Sequence, residues 1–275
     1  LGAMRFNSDS QKLEYFNGAT WFQIHTFTPN LDGGARAVFG AGYKSPGGND
    51  DVMDYVNIAS AGNAVSFGNA TANHEHKSGS ASSNTRGVWV GGNNPSMTDS
   101  IDYITFSSTG DALDFGNLTS VRAAVAGFSN QTRGIFCNGH DSNSGSPYNS
   151  NIINYITIAS AGNAVDFGDT VNQARQRMCA SVPILGFVWS GVTSSGNSNT
   201  IERVTIQTTG NSIDSGFDVI NTGLGDSASN ALSGRVIFQS GGSSPYPVTQ
   251  FNAYNQSNSY DFGDLQMTTF IIKWN

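Results

Sequence analysis

Ile101-Asp102-Tyr103-Ile104-Thr105-Phe106, a turn at Thr109-Gly110-Asp111 and then Leu113-Asp114-Phe115-Gly116 form a phrase that the chain repeats. It returns at Ile153-Asn154-Tyr155-Ile156-Thr157-Ile158, with the turn Ala161-Gly162-Asn163 and the close Val165-Asp166-Phe167-Gly168. An earlier copy runs from Met53-Asp54-Tyr55 through Ala61-Gly62-Asn63 to Ser66-Phe67-Gly68. Weaker copies open at Ile201-Glu202-Arg203 and Thr249-Gln250-Phe251 and close at Asp214-Ser215-Gly216 and Asp261-Phe262-Gly263. Aligned on Tyr55, Tyr103, Tyr155, Arg203 and Phe251, the five copies step by 48, 52, 48 and 48 residues.

Upstream of each phrase lies a second apolar run, such as Arg86-Gly87-Val88-Trp89 or Arg133-Gly134-Ile135-Phe136, leading into a glycine-rich bend. Segments of small residues precede four of these runs, at 78–83, 123–129, 178–182 and 226–232. The unit is therefore four short strands with period-2 patterning. A repeat of about 50 residues built this way matches a propeller blade, and helical repeats are excluded by the missing 3.6-residue period and the glycine and β-branched content. The expected fold is all-β: a five-bladed, kelch-like β-propeller over residues 31–275. Phe39, Trp89, Phe136, Trp189 and Phe238 are expected between blades, and the small-residue strands innermost, where sheets crowd. Asp114, Asp166, Asp214 and Asp261 read as turn-forming carboxylates. The first blade lacks a small-residue strand of its own. Counting on from Gly263 places Phe270-Ile271-Ile272-Lys273-Trp274 in that slot, with Trp21 to Phe27 as the rival.

Residues 1–30 do not follow the repeat. Met4-Arg5-Phe6-Asn7, Lys12-Leu13-Glu14-Tyr15-Phe16 and Thr20-Trp21-Phe22-Gln23-Ile24 alternate as strands, and Asn17-Gly18 is a hairpin turn. Such a β-meander buries too little apolar surface to stand alone, so it is expected to pack on the propeller or on another chain. Residues 26–34, with Pro29 and Gly33-Gly34, read as a linker.

The 275 residues carry a formal charge of -7, and only 12% are charged while 33 are glycine. That balance excludes a non-specific nucleic-acid binder, which needs dense positive charge, and a long coiled coil. No apolar stretch reaches the 18 or so residues that span a bilayer, so a soluble protein without membrane insertion is expected. The first residue is Leu1, which reads as a processed or partial chain. Cys137 and Cys179 are too few for a disulfide framework and read as free, buried thiols.

The phrase Ile101-Asp102-Tyr103-Ile104-Thr105 with Leu113-Asp114-Phe115-Gly116-Asn117-Leu118, linked to strands of the Thr132-Arg133-Gly134-Ile135-Phe136 type, resembles the kelch-like repeats of virion proteins of tailed bacteriophages, marine ones especially. The opening Gly2-Ala3-Met4-Arg5-Phe6-Asn7, Lys12-Leu13-Glu14 and Asn17-Gly18-Ala19-Thr20-Trp21 is similar to a short module of phage tail-fibre and other appendage proteins. The resemblance implies a non-enzymatic virion structural protein (tail fibre, appendage or decoration protein) at the particle surface. Its implied partners are other virion proteins, copies of itself and a host-surface glycan or protein. The alternatives are a secreted kelch-like carbohydrate-active enzyme and a free lectin.

Chemistry-bearing patterns are sparse. His74 and His76 alternate, so both can face one side of a strand, yet no further metal-ligand spacing completes a site. Two tyrosines and two histidines for a copper centre of the galactose oxidase type cannot be assembled at matching positions. Asp50-Asp51 beside Gly47-Gly48-Asn49 reads as a solvated turn, with oxygen ligation of calcium as the rival. No catalytic residue, metal or cofactor is expected. The loops after the second strands, 43–51, 93–100, 140–151, 192–200 and 243–248, share one face of a propeller. There Tyr43, His140, Asp141, Tyr148 and Tyr246 supply rings and hydrogen bonds for a glycan or a protein surface, unless the loops are merely polar caps.

Overall fold

The computed structural model describes residues 2–7, 12–23, 36–44, 48–72, 79–93, 95–143, 148–220, 229–232, 234–239, 246–255 and 258–265. The chain divides into two compact units, 1–31 and 32–275, and all regular structure among the described residues is β.

In the N-terminal unit β1 (Met4–Asn7), β2 (Lys12–Phe16) and β3 (Trp21–Gln23) pair antiparallel in that order. Asn17 closes the second hairpin, its Oδ1 accepting the amides of Ala19 and Thr20 at 2.9 Å each. Alternation puts Met4, Phe6, Leu13, Tyr15 and Phe22 on one face, each between 41% and 66% exposed. On the other face the Arg5 guanidinium lies 4.2 Å over the Trp21 ring, and its Nε donates to Glu14 at 2.9 Å. Hydrogen bonds from Asn7 and Arg5 hold the Glu14 carboxyl below its ordinary range.

The second unit holds five repeat sheets, each a simple antiparallel meander. The first is β4 (Arg36–Lys44), β5 (Gly48–Asn57) and β6 (Val65–Asn69). The second is β7 (Gly79–Ser82), β8 (Arg86–Val90), β9 (Ser100–Thr105) and β10 (Leu113–Asn117). The third is β11 (Ala126–Ser129), β12 (Arg133–Cys137), β13 (Ser150–Thr157) and β14 (Val165–Ala174). In the fourth, β15 (Met178–Ser181) and β16 (Leu185–Trp189) are followed by a small hairpin, β17 (Val192–Thr193) and β18 (Gly196–Asn197), before β19 (Thr200–Thr205) and β20 (Ile213–Asp218). The fifth is β21 (Ser229–Leu232), β22 (Arg235–Gln239), β23 (Tyr246–Asn252) and β24 (Tyr260–Leu265).

The sheets stack face to face in chain order. Trp89 and Ile104 of the second close on Met53 and Phe67 of the first. Phe136 and Ile156 of the third close on Val90, Ile101 and Phe115 of the second. Val188 and Val204 of the fourth meet Cys137, Ile153 and Phe167 of the third, and Phe238 and Phe251 of the fifth meet Trp189 and Phe217 of the fourth. Phe136 and Trp189 have no exposed surface, and burial of one such side chain is worth about 1.5–3 kcal/mol. The small-residue strands β7, β11, β15 and β21 lie side by side. A Cβ on Gly127 would stand 2.5 Å from the Ser80 amide nitrogen, and the hydroxyls of Ser129 and Ser181 donate to the carbonyls of Ser82 and Ser129. Crowding thus selects Gly, Ser and Ala there, as the sequence indicates.

Two expectations need correction. Phe39 is 62% exposed, because it lies on the face of the first sheet opposite the one that packs on Trp89. Trp189 does lie between sheets, against Phe238 of the fifth, but faces forward where Trp89 and Phe136 face backward: it pairs with Ile201, whereas Trp89 pairs with Asp102 and Phe136 with Asn154, one residue out of step. In the fifth sheet Arg235 pairs with Asn252 as Arg133 pairs with Thr157, so Gln250 and not Phe251 takes the place of Tyr155. Of the two strands offered to complete the first sheet, 270–274 lies outside the described residues, while Trp21–Gln23 is committed to the N-terminal meander as β3.

A lattice of backbone bonds joins each outermost strand to the next sheet. The amides of Gly110, Gly162 and Gly210 donate to the carbonyls of Phe67, Phe115 and Phe167, each at 2.7 Å. Ala112, Ala164 and Ser212 repeat the bond to Asn69, Asn117 and Asp169 at 2.7–2.8 Å. The Phe-Gly dipeptide makes the approach possible. At Gly116 φ is +144°, and a Cβ would sit 2.5 Å from the Gly162 carbonyl oxygen. The preceding aspartates set the bulge: Asp114, Asp214 and Asp261 accept the amides of Gly116, Gly216 and Gly263 at 2.8–3.1 Å. Arginines add a further tie. Arg36, Arg86 and Arg133 lie 4.4–4.9 Å over Tyr55, Tyr103 and Tyr155 of their own sheets. Each then donates to a carbonyl of the following sheet, at Phe106, Ile158 and Ile206.

Gly116→Ala and Gly162→Ala separate conformation from contact, since a Cβ on Gly162, at φ +158°, meets nothing within 4 Å. Gly116→Ala is expected to lose about 1–3 kcal/mol of unfolding free energy and to melt below Gly162→Ala. Coincident denaturant curves would remove the inter-sheet contact from the explanation.

Candidate functional site

Polar side chains buried between sheets hold the segments that pass from one sheet to the next. Asp102, Asn154 and Glu202 occupy one register position in the second, third and fourth sheets, each no more than 2% exposed. Asp102 accepts from the Thr71 hydroxyl at 2.7 Å, in the segment leaving the first sheet. Asn154 Oδ1 accepts from the Thr119 hydroxyl at 3.0 Å and from Arg122 Nη2 at 2.5 Å. Arg122 also donates to the carbonyls of Asn138 and Ile152 at 2.9 Å each. Burial pushes its guanidinium down to about 10, still cationic at neutral pH. Glu202 holds the far end of β14, the last strand of the third sheet. It accepts the Val171 amide at 2.8 Å, the Asn172 amide at 3.2 Å, the Ser212 hydroxyl at 2.6 Å and Arg177 Nη1 at 2.8 Å. Burial raises the Glu202 carboxyl, and the Arg177 charge with the Ser212 and Val171 bonds outweighs it, leaving the group below its ordinary 4.5.

Over this scaffold a cavity of about 570 Å³ is lined by Asn93, Met97, Ala123, Ala124, His140, Tyr148, Arg175 and Gln176. Its rim is cross-braced by backbone pairs Asn93 with Met97, Ala123 with His140, His140 with Asn149 and Arg175 with Val192. The His140 and Tyr148 rings meet edge to face at 5.6 Å. Arg175 Nη1 donates to Asn149 Oδ1 at 3.3 Å, and the Asn149 amide in turn donates to the Val192 carbonyl at 3.0 Å. Three lining residues adopt the left-handed region without being glycine: Ala124 at φ 52°, Tyr148 at 61° and Gln176 at 53°. Strain of this kind, about 1–3 kcal/mol per residue, concentrates where binding needs a fixed backbone. A second cavity, of about 530 Å³, lies along the small-residue strands and is lined by Arg36, Ser80, Trp89, Phe106, Gly127 and Cys179 among others.

Of the residues read from sequence as binding candidates, the fold brings His140 and Tyr148 together in the first cavity. Asp141 follows His140 in the same loop. It is 5% exposed and braces its own loop, its amide donating to the Tyr148 carbonyl and its Oδ1 accepting the Asn143 amide, both at 2.8 Å. Tyr43 falls in β4 and pairs with Asn49, in a strand where a loop was expected. Tyr246 opens β23, paired with Leu265 in the fifth sheet. Asp50 and Asp51 likewise belong to β5, where Asp50 Oδ1 accepts the Val52 amide at 3.1 Å. His74 and His76 lie outside the described residues. The sequence reading had Asn93 and Met97 within a candidate loop without singling them out, and it missed Arg175 and Gln176. A signal existed for the last two: the phrase closing at Gly168 runs on as Asp169-Thr170-Val171-Asn172-Gln173-Ala174, and β14 extends through it to deliver Arg175 to the rim.

Among the described residues no group of three or more His, Cys, Asp or Glu side chains is placed to hold a metal ion. Burial pushes the Cys179 thiol up to about 12 and the Cys137 thiol higher, so both are protonated and poor nucleophiles at neutral pH. The chemistry the first cavity offers is therefore ring contact, a guanidinium, an imidazole and amides.

Removing one partner of the Arg177–Glu202 pair strands the other charge in the interior, so Glu202→Ala is expected to destabilise by about 3–5 kcal/mol in urea melts. Because the folded carboxyl titrates below 4.5, its contribution is complete above that pH and is lost as pH falls through the lowered value. Glu202→Gln should accordingly flatten the acid limb of a stability profile measured from pH 6 to pH 2. Comparison with protein-family models and with curated proteins finds no match to this chain.

Proposed function

We propose that the five stacked sheets are the blades of a kelch-like β-propeller and that the chain is a non-enzymatic structural protein of a tailed-phage virion. The meander at residues 1–30 attaches it to other virion proteins or to copies of itself, and the propeller is presented outward for particle architecture or host-surface adhesion. The propeller reading is supported by the uniform direction of the stack, each sheet offering one face forward and one back, with β7, β11, β15 and β21 gathered edge to edge.

The observation that carries the attachment role is the apolar face of the meander. Met4, Phe6, Leu13, Tyr15 and Phe22 form a contiguous patch with no charged side chain among them, on a sheet of three short strands. Exposed apolar patches of that kind mark interaction surfaces. A free-standing lectin is the second reading, favoured by the ring-lined cavity around Tyr148.

Light scattering on the full chain is expected to show an oligomer, and Phe6→Ser combined with Phe22→Ser to return it to a monomer with the main melting transition unchanged. Immunogold labelling should then place the chain on the outside of intact particles. A protein that is monomeric and absent from purified particles overturns the virion reading and leaves the lectin.

A further inference from the structure

We propose that the cavity bounded by Asn93, Met97, His140, Tyr148, Arg175 and Gln176 is a subsite for an acidic sugar residue, its carboxylate held by Arg175 and its ring lodged against Tyr148. The inference rests on the adhesion reading above and names the chemistry of what is adhered to. The cavity volume of about 570 Å³ falls among small-molecule sites, which range over about 300–1,000 Å³. Its lining combines what a saccharide with a carboxylate requires. An aromatic ring, 44% exposed in Tyr148, offers a flat apolar surface to the C–H face of a pyranose. Side-chain amides at Asn93 and Gln176 donate and accept, as paired hydroxyls do. The guanidinium of Arg175 presents a planar fork matched to a carboxylate.

Electrostatics makes the choice sharper. The chain carries 20 acidic against 13 basic residues, so a guanidinium in a concave site is a local exception to the field of the whole molecule. Arg175 itself is held through its backbone pairing with Val192 and through Asn149. Its neighbour Gln176 and the facing Ala124 are held at positive φ, their backbones joined by a 3.4 Å bond from the Gln176 amide to the Ala124 carbonyl. A preorganised cation beside a ring spends little ordering entropy on binding. An acidic peptide would use the cation but has no need of the ring, which favours the sugar.

The probe is an oligogalacturonate, with its methyl-esterified form as a control of the same shape and no charge. Calorimetry and ligand-observed NMR on the full chain are expected to show binding of the free acid. Esterification should weaken it by about tenfold or more, the scale of one charge-assisted hydrogen bond. Arg175→Gln should abolish the difference between acid and ester, and Tyr148→Ala should weaken both equally. Tyr148→Ala lies in the loop and keeps the test decisive should Arg175→Gln lower the melting temperature. Equal affinity for acid and ester, tighter binding of polyglutamate than of the saccharide, or no binding of either form overturns the proposal. Retention of oligomerisation and particle labelling in that event leaves the adhesion reading standing.

Discussion

Each repeat sheet from the second to the fifth lends a backbone amide to its predecessor. The bond from Gly110, Gly162 or Gly210 to the carbonyl of Phe67, Phe115 or Phe167 satisfies groups on outermost strands that would otherwise be open edges. It also fixes the spacing at which the side chains between sheets meet. Hydrophobic contact alone is non-directional and would let one sheet slide over another. The amide at the turn and the glycine at the bulge choose one setting among the many that burial permits. Asp114 and its equivalents serve this geometry by bracing the bulge, which gives a carboxylate recurring beside an aromatic ring a structural task.

Polar groups in the interior act on the same principle over a longer range. Asp102 and Asn154 reach back to the segment leaving the preceding sheet, and Glu202 to its last strand, so a buried hydrogen bond ties together parts of the chain some thirty residues apart. Burying them unpaired would be costly, and the register therefore has few alternatives. The cavity is built on top of these ties. Arg122, anchored to Asn154, immediately precedes Ala123 and Ala124, and Arg177, anchored to Glu202, immediately follows Gln176. The strained backbone of the rim is thus flanked on both sides by buried cations that cannot easily move.

How much of this was legible beforehand follows from what each feature depends on. The repeat phrase and its small-residue partner are local patterns, so the strands, the hairpin at Asn17 and the crowding around Gly127 could be read directly. The direction in which a strand faces depends on a single residue of register, and there the sequence misleads. Trp189 looks like Trp89 in a string but sits one position later, and Phe251 looks like Tyr155 although Gln250 has its place. The fourth sheet exchanges both members of the arginine–tyrosine pair, with Leu185 for the arginine and Arg203 for the tyrosine, and it shifts its outer aromatic from 215 to Phe217. Of the site, the aromatic and imidazole rings were visible because they lie in a conspicuous loop. Arg175 and Gln176 were not, because they come from an extension of β14 whose destination only the packing of three sheets determines.

The contacts at the middle of each interface are matched in size. Gly40 faces Trp89, Val90 faces Phe136, Cys137 faces Val188, and Trp189 faces Phe238 with ring centroids 5.0 Å apart. A bulky knob on one unit thus answers a hollow on its neighbour, and the hollow differs at every joint. Sheets built on one repeat are keyed to their places. Shuffling them would set Trp89 against Trp189 at one joint and leave a void at another.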